Sequence, residues 1–185
     1  MDQPRTDAAP AAKPCCPVTI ARQWWPVLVP PAVAAAVYLA RAVGWHQAVE
    51  KQPHEVIALC LLSAAVAVAA KGALAQRDRF CLVLAALCLV FLLREIHFPG
   101  AKEVLYGGVA VIGVWSVLWR RRLLPSLLGQ ARGRWLVITV WAYVLALLVQ
   151  RRALKFLPDE EHVHIQLEEV LENVGHLFLL ILGLL

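Results

Sequence analysis

The sequence lacks the short motifs by which common enzymes are recognised. It contains no GxSxG, Walker A, HExxH or Rossmann pattern, so the usual catalytic signatures are absent. Five cysteines are present but none form a CxxC pair, so nothing supports a thiol oxidoreductase. The sequence therefore names neither a reaction nor a substrate, and the role of the vicinal Cys15 and Cys16 stays open.

Apolar residues dominate the chain and occur in blocks. They make up 61% of the sequence, with a mean hydropathy of +0.66, against roughly 45–50% in globular proteins. Long Leu, Ala and Val runs suit membrane helices, which need about 20 residues to cross the hydrocarbon layer. We therefore predict an all-α, polytopic membrane helix bundle of about six transmembrane helices, in the blocks 26–44, 55–75, 80–97, 104–119, 135–150 and 163–185.

The domain prediction is a single transmembrane bundle over residues 26–185. Residues 1–25, rich in Pro and Ala with nothing to pack, are expected to be a disordered cytoplasmic tail. Within the first block, Pro30 and Pro31 predict a kink or break.

Basic residues predict the orientation of the six spans. The N-terminal tail and the connections 2–3 and 4–5 share one side, and they hold most of the Lys and Arg residues, including the Arg120–Arg122 run. The positive-inside rule then places both termini in the cytoplasm. The net charge of +5 is explained by this face meeting anionic lipid, so no nucleic-acid partner is indicated.

Histidines and acids collect on the opposite, outer side. All six histidines and most Asp and Glu residues fall there in the predicted topology. The positive-inside rule concerns Lys and Arg, so it does not account for this segregation. We therefore expect a polar, outward-facing site.

The last block, 159–185, is polar along one face only in its outer half. At 100° per residue, a shared face about 120° wide carries His162, Gln166, Glu169, Glu172, Asn173 and His176. At 1.5 Å per residue, Glu169 of span 6 and Arg94 of span 3 both lie about 6 Å below the outer boundary. The sequence thus predicts an Arg94–Glu169 ion pair in an outward-facing Glu/His/Arg cup between spans 3 and 6.

One hypothesis for the cup is a metal site. Glu172 and His176 are four residues apart and can reach one ion from a single helix face. The full candidate ligand set is Glu95, His97, Glu169, Glu172 and His176. Such nitrogen and oxygen ligands suit Zn, Mn or Fe. If the protein is an enzyme, this site would make it a metal-dependent membrane hydrolase.

Two other hypotheses remain open at this point. In the first, the cup is only an ion-pair network in a structural or accessory membrane subunit. In the second, Glu172 and His176 relay protons in a proton- or ion-coupled carrier. Membrane lipids are the expected partners in each case, with a homo-oligomer or a larger membrane complex as further options. Haem ligation by His97 and His176 is disfavoured because their depths differ too much.

The stretches FLLREIHF (91–98) and EEVLENVG (168–175) carry a resemblance. They resemble the FLRE-x-D-F and last-helix EExxExxG motifs of small, uncharacterised bacterial inner-membrane proteins, with His97 standing where that group has an acid. The resemblance implies a bacterial inner (cytoplasmic) membrane location and couples the two segments. It implies no activity.

Overall fold

The computed structural model describes residues 24–45, 51–127, 130–153 and 160–185, and these residues form helices with no strand. A short 3₁₀ turn, Trp25–Leu28, comes first. Seven α-helices follow: α1 Val29–Ala42, α2 Lys51–Gln76, α3 Arg79–Glu95, α4 Ala101–Leu118, α5 Arg120–Leu127, α6 Gln130–Gln150 and α7 Glu160–Leu184. The all-α prediction is confirmed. The predicted tail and the Cys15–Cys16 pair lie almost entirely outside the described residues.

The six apolar blocks correspond to α1, α2, α3, α4, α6 and α7. Two local features differ from expectation. Pro30 and Pro31 lie in the first turn of α1, directly after the 3₁₀ turn, because a helix needs no N–H donors there. The Arg120–Arg122 run, expected to be a connection, instead begins the short helix α5, which contains Pro125.

Four segments are long and apolar enough to cross a membrane: Trp25–Ala42, Pro53–Gln76, Ala101–Leu118 and Ala131–Gln150. This makes the fold compatible with an integral membrane protein. Helix α3 has only 17 residues, and the last 18 residues of α7 contain three glutamates, so neither qualifies by length and composition alone. The count of six spans and the N-in/C-in topology stay predictions.

Helix α7 lies at the centre of the packing. It contacts α2 and α6 along most of its length and α1 over a shorter stretch, while it meets α3 at few points. Its fully buried leucines, Leu167, Leu171, Leu179 and Leu182, supply much of the core. Helix α3 packs on α2, and α4 packs mainly on α3. The outermost faces expose apolar side chains such as Val111, Val114 and Leu118 of α4, as lipid-facing surfaces do.

Contacts between helices define two ends of the bundle. Arg132 of α6 bonds Asp78, which precedes α3, so these termini meet at what we name the Asp78 end. Arg94 of α3 bonds Glu172 of α7, which marks the opposite, Arg94 end. Described basic residues gather at the Asp78 end: Arg77, Arg79, Arg120, Arg121, Arg122, Arg132 and Arg134.

Asp78 holds the start of α3. One carboxylate oxygen accepts a hydrogen bond from the backbone N–H of Phe80 at 2.9 Å, and the other accepts one from Arg132 Nη1 at 2.5 Å. Partial burial opposes ionisation of Asp78, but the hydrogen bonds from Arg132 and Phe80 outweigh it and lower the pKa of this carboxyl. The same side chain therefore caps α3 and ties it to α6.

We expect Asp78→Ala to lower the free energy of unfolding by about 1 kcal/mol or more, because α3 loses its N-cap. Asp78→Asn should cost less, because Asn caps equally well and only the ion pair is lost. Thermal unfolding of the purified variants in neutral detergent measures both effects. Equal losses in the two variants would show that the ion pair, and not the cap, carries the stability.

The lowered pKa of Asp78 gives a pH test. A depressed carboxyl pKa contributes stability that is present above the unfolded-state value, about 4, and disappears as pH falls through the folded-state value. The stability gap between wild type and Asp78→Asn should therefore be constant near neutral pH and close only in acid. A gap that persists in strong acid would contradict this assignment.

Candidate functional site

The polar residues of α7 bond to partners on four neighbouring helices. Gln166 Oε1 accepts from Arg41 Nη1 of α1 at 2.9 Å, and Asn173 Nδ2 donates to the backbone oxygen of His54 in α2 at 3.1 Å. The other partners lie on α3 and α6. The polar contacts of α7 are thus not confined to the α3–α7 interface, because α7 packs chiefly between α2 and α6.

Arg94 of α3 makes the ion pair that reaches α7. Its Nη1 donates to Glu172 Oε1 at 2.8 Å, and Glu95 lies 3.9 Å from the same nitrogen. The Arg94, Glu172 and Glu95 side chains are 27%, 14% and 7% exposed. The pair that the structure shows is therefore Arg94–Glu172, one helical turn beyond the predicted partner Glu169. Depth along straight helices fixes a level to within a turn only, and a long Arg side chain spans that difference.

His176 lies in the centre of the same region and is only 1% exposed. Its Nδ1 is 2.6 Å from the Tyr143 hydroxyl oxygen of α6, a hydrogen bond that joins α6 to α7. Phe91 of α3 stacks on Tyr143, with ring centroids 5.1 Å apart and planes 17° from parallel. The three rings connect three helices, and they place the Tyr143 hydroxyl between a buried imidazole and the space beside Arg94.

Gly175 makes room for Tyr143. A Cβ at this position would lie 2.9 Å from Tyr143 Cζ and 3.0 Å from both Cε atoms, closer than real Cβ contacts allow. The ring therefore crosses α7 directly over the glycine, next to its bonding partner His176. The absence of a side chain at residue 175 is a requirement of the Tyr143–His176 contact.

Some buried polar atoms have no hydrogen-bond partner among the described residues. They include His176 Nε2, His54 Nε2 and Asn173 Oδ1. A buried N–H without an acceptor costs about 1–3 kcal/mol, whereas an unused lone pair is tolerated more often. With the His176 proton on Nε2, the Tyr143 O–H donates to Nδ1; with the proton on Nδ1, the ring donates to the Tyr143 oxygen. In either tautomer one donor of this pair has no acceptor among the described residues.

The five predicted metal ligands are not assembled into one set. His97, in left-handed backbone conformation after the end of α3, is exposed and its Nδ1 contacts the backbone oxygen of Glu95 at 2.6 Å. His176 is bonded to Tyr143, and Glu172 to Arg94. Within the described segments, no three or more His, Cys, Asp or Glu side chains lie close enough to hold a metal ion. The arrangement seen is one of hydrogen bonds and an ion pair.

A cavity of about 530 Å³ opens beside the Arg94–Glu172 pair. We name it the polar cavity. Its lining comes from α3, α4, α6, α7 and the residue after α6: Phe91, Arg94, Lys102, Leu105, Tyr106, Tyr143, Ala146, Leu147, Gln150, Arg151 and Glu172. Three of these side chains are cationic and one is a carboxylate. The lining therefore carries an excess of positive charge above a wall of apolar side chains.

Tyr143, Lys102 and Arg151 were not among the predicted site residues. Lys102 lies at the start of α4 and Arg151 directly after the end of α6. From the sequence alone, charged residues at such positions are expected to be ordinary solvated helix ends. Tyr143 had one available signal, because it and Thr139 are the hydroxyl-bearing residues in the otherwise apolar run 136–149. A buried tyrosine hydroxyl needs a partner, so a search for that partner leads to His176.

Compared with protein-family models, curated proteins and solved structures, the chain matches none of them. The functional argument therefore depends on the residues and geometry of this protein.

We expect Gly175→Ala to lower the melting temperature, because the new methyl group displaces the Tyr143 ring and breaks its bond to His176. The matched control is Gly113→Ala, where a Cβ meets no atom within 4 Å. That change should be neutral or stabilising by up to about 1 kcal/mol, since Ala is the better helix former. Equal melting temperatures for the two variants would refute the close contact.

A double-mutant cycle tests the Arg94–Glu172 pair. The losses of unfolding free energy in Arg94→Gln and Glu172→Gln should together exceed the loss in the double variant. The reason is that each single change leaves one charge unpaired, whereas the double variant leaves none. The coupling free energy, from unfolding in detergent, should be about 1–3 kcal/mol. The same cycle with Glu95→Gln should give a smaller coupling, given the 3.9 Å separation. Additive effects for Arg94 and Glu172 would contradict the pairing.

Proposed function

We propose that this protein is a multi-pass bacterial inner-membrane protein that binds an anionic group, of the phosphate or carboxylate class, in an outward-facing cup. The cup corresponds to the polar cavity. The observation that carries the proposal is its charge: Arg94, Lys102 and Arg151 face one space that contains a single carboxylate, Glu172.

Geometry supports an anion as the ligand. Arg94 is held in place by Glu172 at 2.8 Å, so its position beside the cavity is defined before any ligand arrives. Guanidinium groups bind phosphate and carboxylate oxygens by paired, charge-assisted hydrogen bonds, and an ammonium adds a point charge. Tyr143 and Gln150 line the same space, with the Tyr143 hydroxyl bonded to His176 Nδ1 and the Gln150 amide donating to Glu168 Oε1.

The orientation follows from charge. The Asp78 end carries the densest group of arginines, so the positive-inside rule assigns it to the cytoplasmic face and the polar cavity to the outer face. The resemblance of FLLREIHF and EEVLENVG to bacterial inner-membrane proteins supports the same location.

The remaining hypotheses stay predictions. These are a metal-dependent hydrolase, a proton- or ion-coupled carrier, an accessory subunit of a larger complex, and a homo-oligomer. The geometry favours anion binding over a metal, because three of the predicted ligands, His97, His176 and Glu172, bond to backbone, Tyr143 and Arg94 respectively. An ion-pair network without a ligand is the alternative that the binding experiment decides.

Inorganic phosphate should raise the melting temperature of the purified protein in neutral maltoside detergent, because a ligand that binds only the folded state stabilises it. Chloride at equal ionic strength is the reference. The double variant Lys102→Gln/Arg151→Gln should abolish the difference between phosphate and chloride.

The matched control is Lys71→Gln/Arg121→Gln, which removes the same charge from exposed positions toward the Asp78 end. It should respond to phosphate as wild type does. If both double variants lose the response, the effect is a general one of net charge. If wild type shows no phosphate effect at all, the cup is an ion-pair network only and the proposal is wrong.

A further inference from the structure

A second cavity lies on the same helices as the polar cavity, toward the Asp78 end. Its volume is about 270 Å³, and we name it the apolar cavity. It is lined by α3, α4, α5 and α6: Phe80, Val83, Leu84, Leu87, Ser116, Arg120, Leu123, Leu124 and Leu136. Apart from Ser116 and Arg120, these side chains are hydrocarbon. The lining therefore suits a chain of methylene groups.

Both cavities are lined by α3, α4 and α6, and we name the strip of these helices between the two cavities the seam. On α3, Leu87 of the apolar cavity is four residues, or one turn, from Phe91 of the polar cavity. On α6, Leu136 and Tyr143 are seven residues apart, about 10 Å. A molecule with a charged head and an apolar tail matches this order along the helices.

Helix α4 packs on one side only. It packs closely on α3, where a Cβ on Gly108 would lie 2.7 Å from Val90 Cγ2. Its other faces are largely exposed, and Ile112 is its buried residue. A Cβ at Gly107 or Gly113 would meet nothing within 4 Å. The free flank of α4 is therefore a surface that a membrane lipid could cover.

We infer that the seam holds a membrane lipid, with an anionic phosphate head group in the polar cavity and an acyl chain extending toward the apolar cavity. The inference rests on the proposed anion-binding function and specifies the source of the anion. In a bilayer the tail gains little by moving from lipid to groove, so the cationic lining selects the head group. The groove decides whether the tail can be accommodated.

The test uses the full-length protein in phosphatidylcholine nanodiscs doped with phosphatidylglycerol, and bound lipid is counted by native mass spectrometry after release into detergent. Wild type should retain phosphatidylglycerol in preference to phosphatidylcholine. Lys102→Gln/Arg151→Gln should reduce that retention at least tenfold. Ser116→Phe, which fills the apolar cavity, should reduce it by a similar factor without changing the stabilisation by inorganic phosphate.

Two further variants keep the result interpretable. Leu124→Trp fills the same cavity from a side chain that is 47% exposed, so it supports or overturns the inference if Ser116→Phe does not fold. Val111→Phe, on the exposed face of α4, adds similar bulk away from the seam and should retain lipid as wild type does.

The outcomes separate the two proposals. Phosphate stabilisation without selective lipid retention, or retention that the cavity-filling variants leave unchanged, overturns the lipid inference and keeps a soluble anion as ligand. Absence of phosphate stabilisation in wild type overturns the anion-binding function itself, and the lipid inference with it.

Discussion

The structure depends on satisfying the polar side chains of α7 in a mostly apolar bundle. Helix α7 packs against apolar helices although it carries Gln166, Glu172, Asn173 and His176. Burying these side chains costs desolvation free energy unless they form hydrogen bonds or ion pairs. Four different helices provide these partners, in Arg41, His54, Arg94 and Tyr143. This requirement explains why α7 is central, and it fixes the rotation of α7 about its own axis relative to its neighbours.

The polar side chains of α7 all lie toward the Arg94 end. Toward the Asp78 end α7 is wholly apolar, and its leucines pack with α2 and α3 around Leu62, Leu84 and Cys88. Helix α7 thus packs as a purely apolar helix toward the Asp78 end and presents polar side chains toward the Arg94 end, where the polar cavity with its excess of positive charge lies.

The sequence predicted the helices well because their apolar runs are long and sharply bounded. It also identified the polar stripe of α7, since a period of 3.6 residues is visible in one segment alone. It did not identify Tyr143 as the partner of His176, because the contact joins residues 33 positions apart and depends on the small size of Gly175. The choice of Glu172 over Glu169 likewise depends on how α3 and α7 are rotated, which no single helix encodes.

The Arg94–Glu172 pair also has a consequence for biosynthesis. Its partners are 78 residues apart, so at about 5–20 residues per second Arg94 leaves the ribosome roughly 4–16 seconds before Glu172 does. During that interval the guanidinium has to be tolerated without its final partner. Its place one residue before the end of α3 lets it reach past the end of the helix, and the adjacent Glu95, 3.9 Å away, is a carboxylate made at the same moment. The neighbouring acid thus gives the arginine a nearby opposite charge until α7 is made.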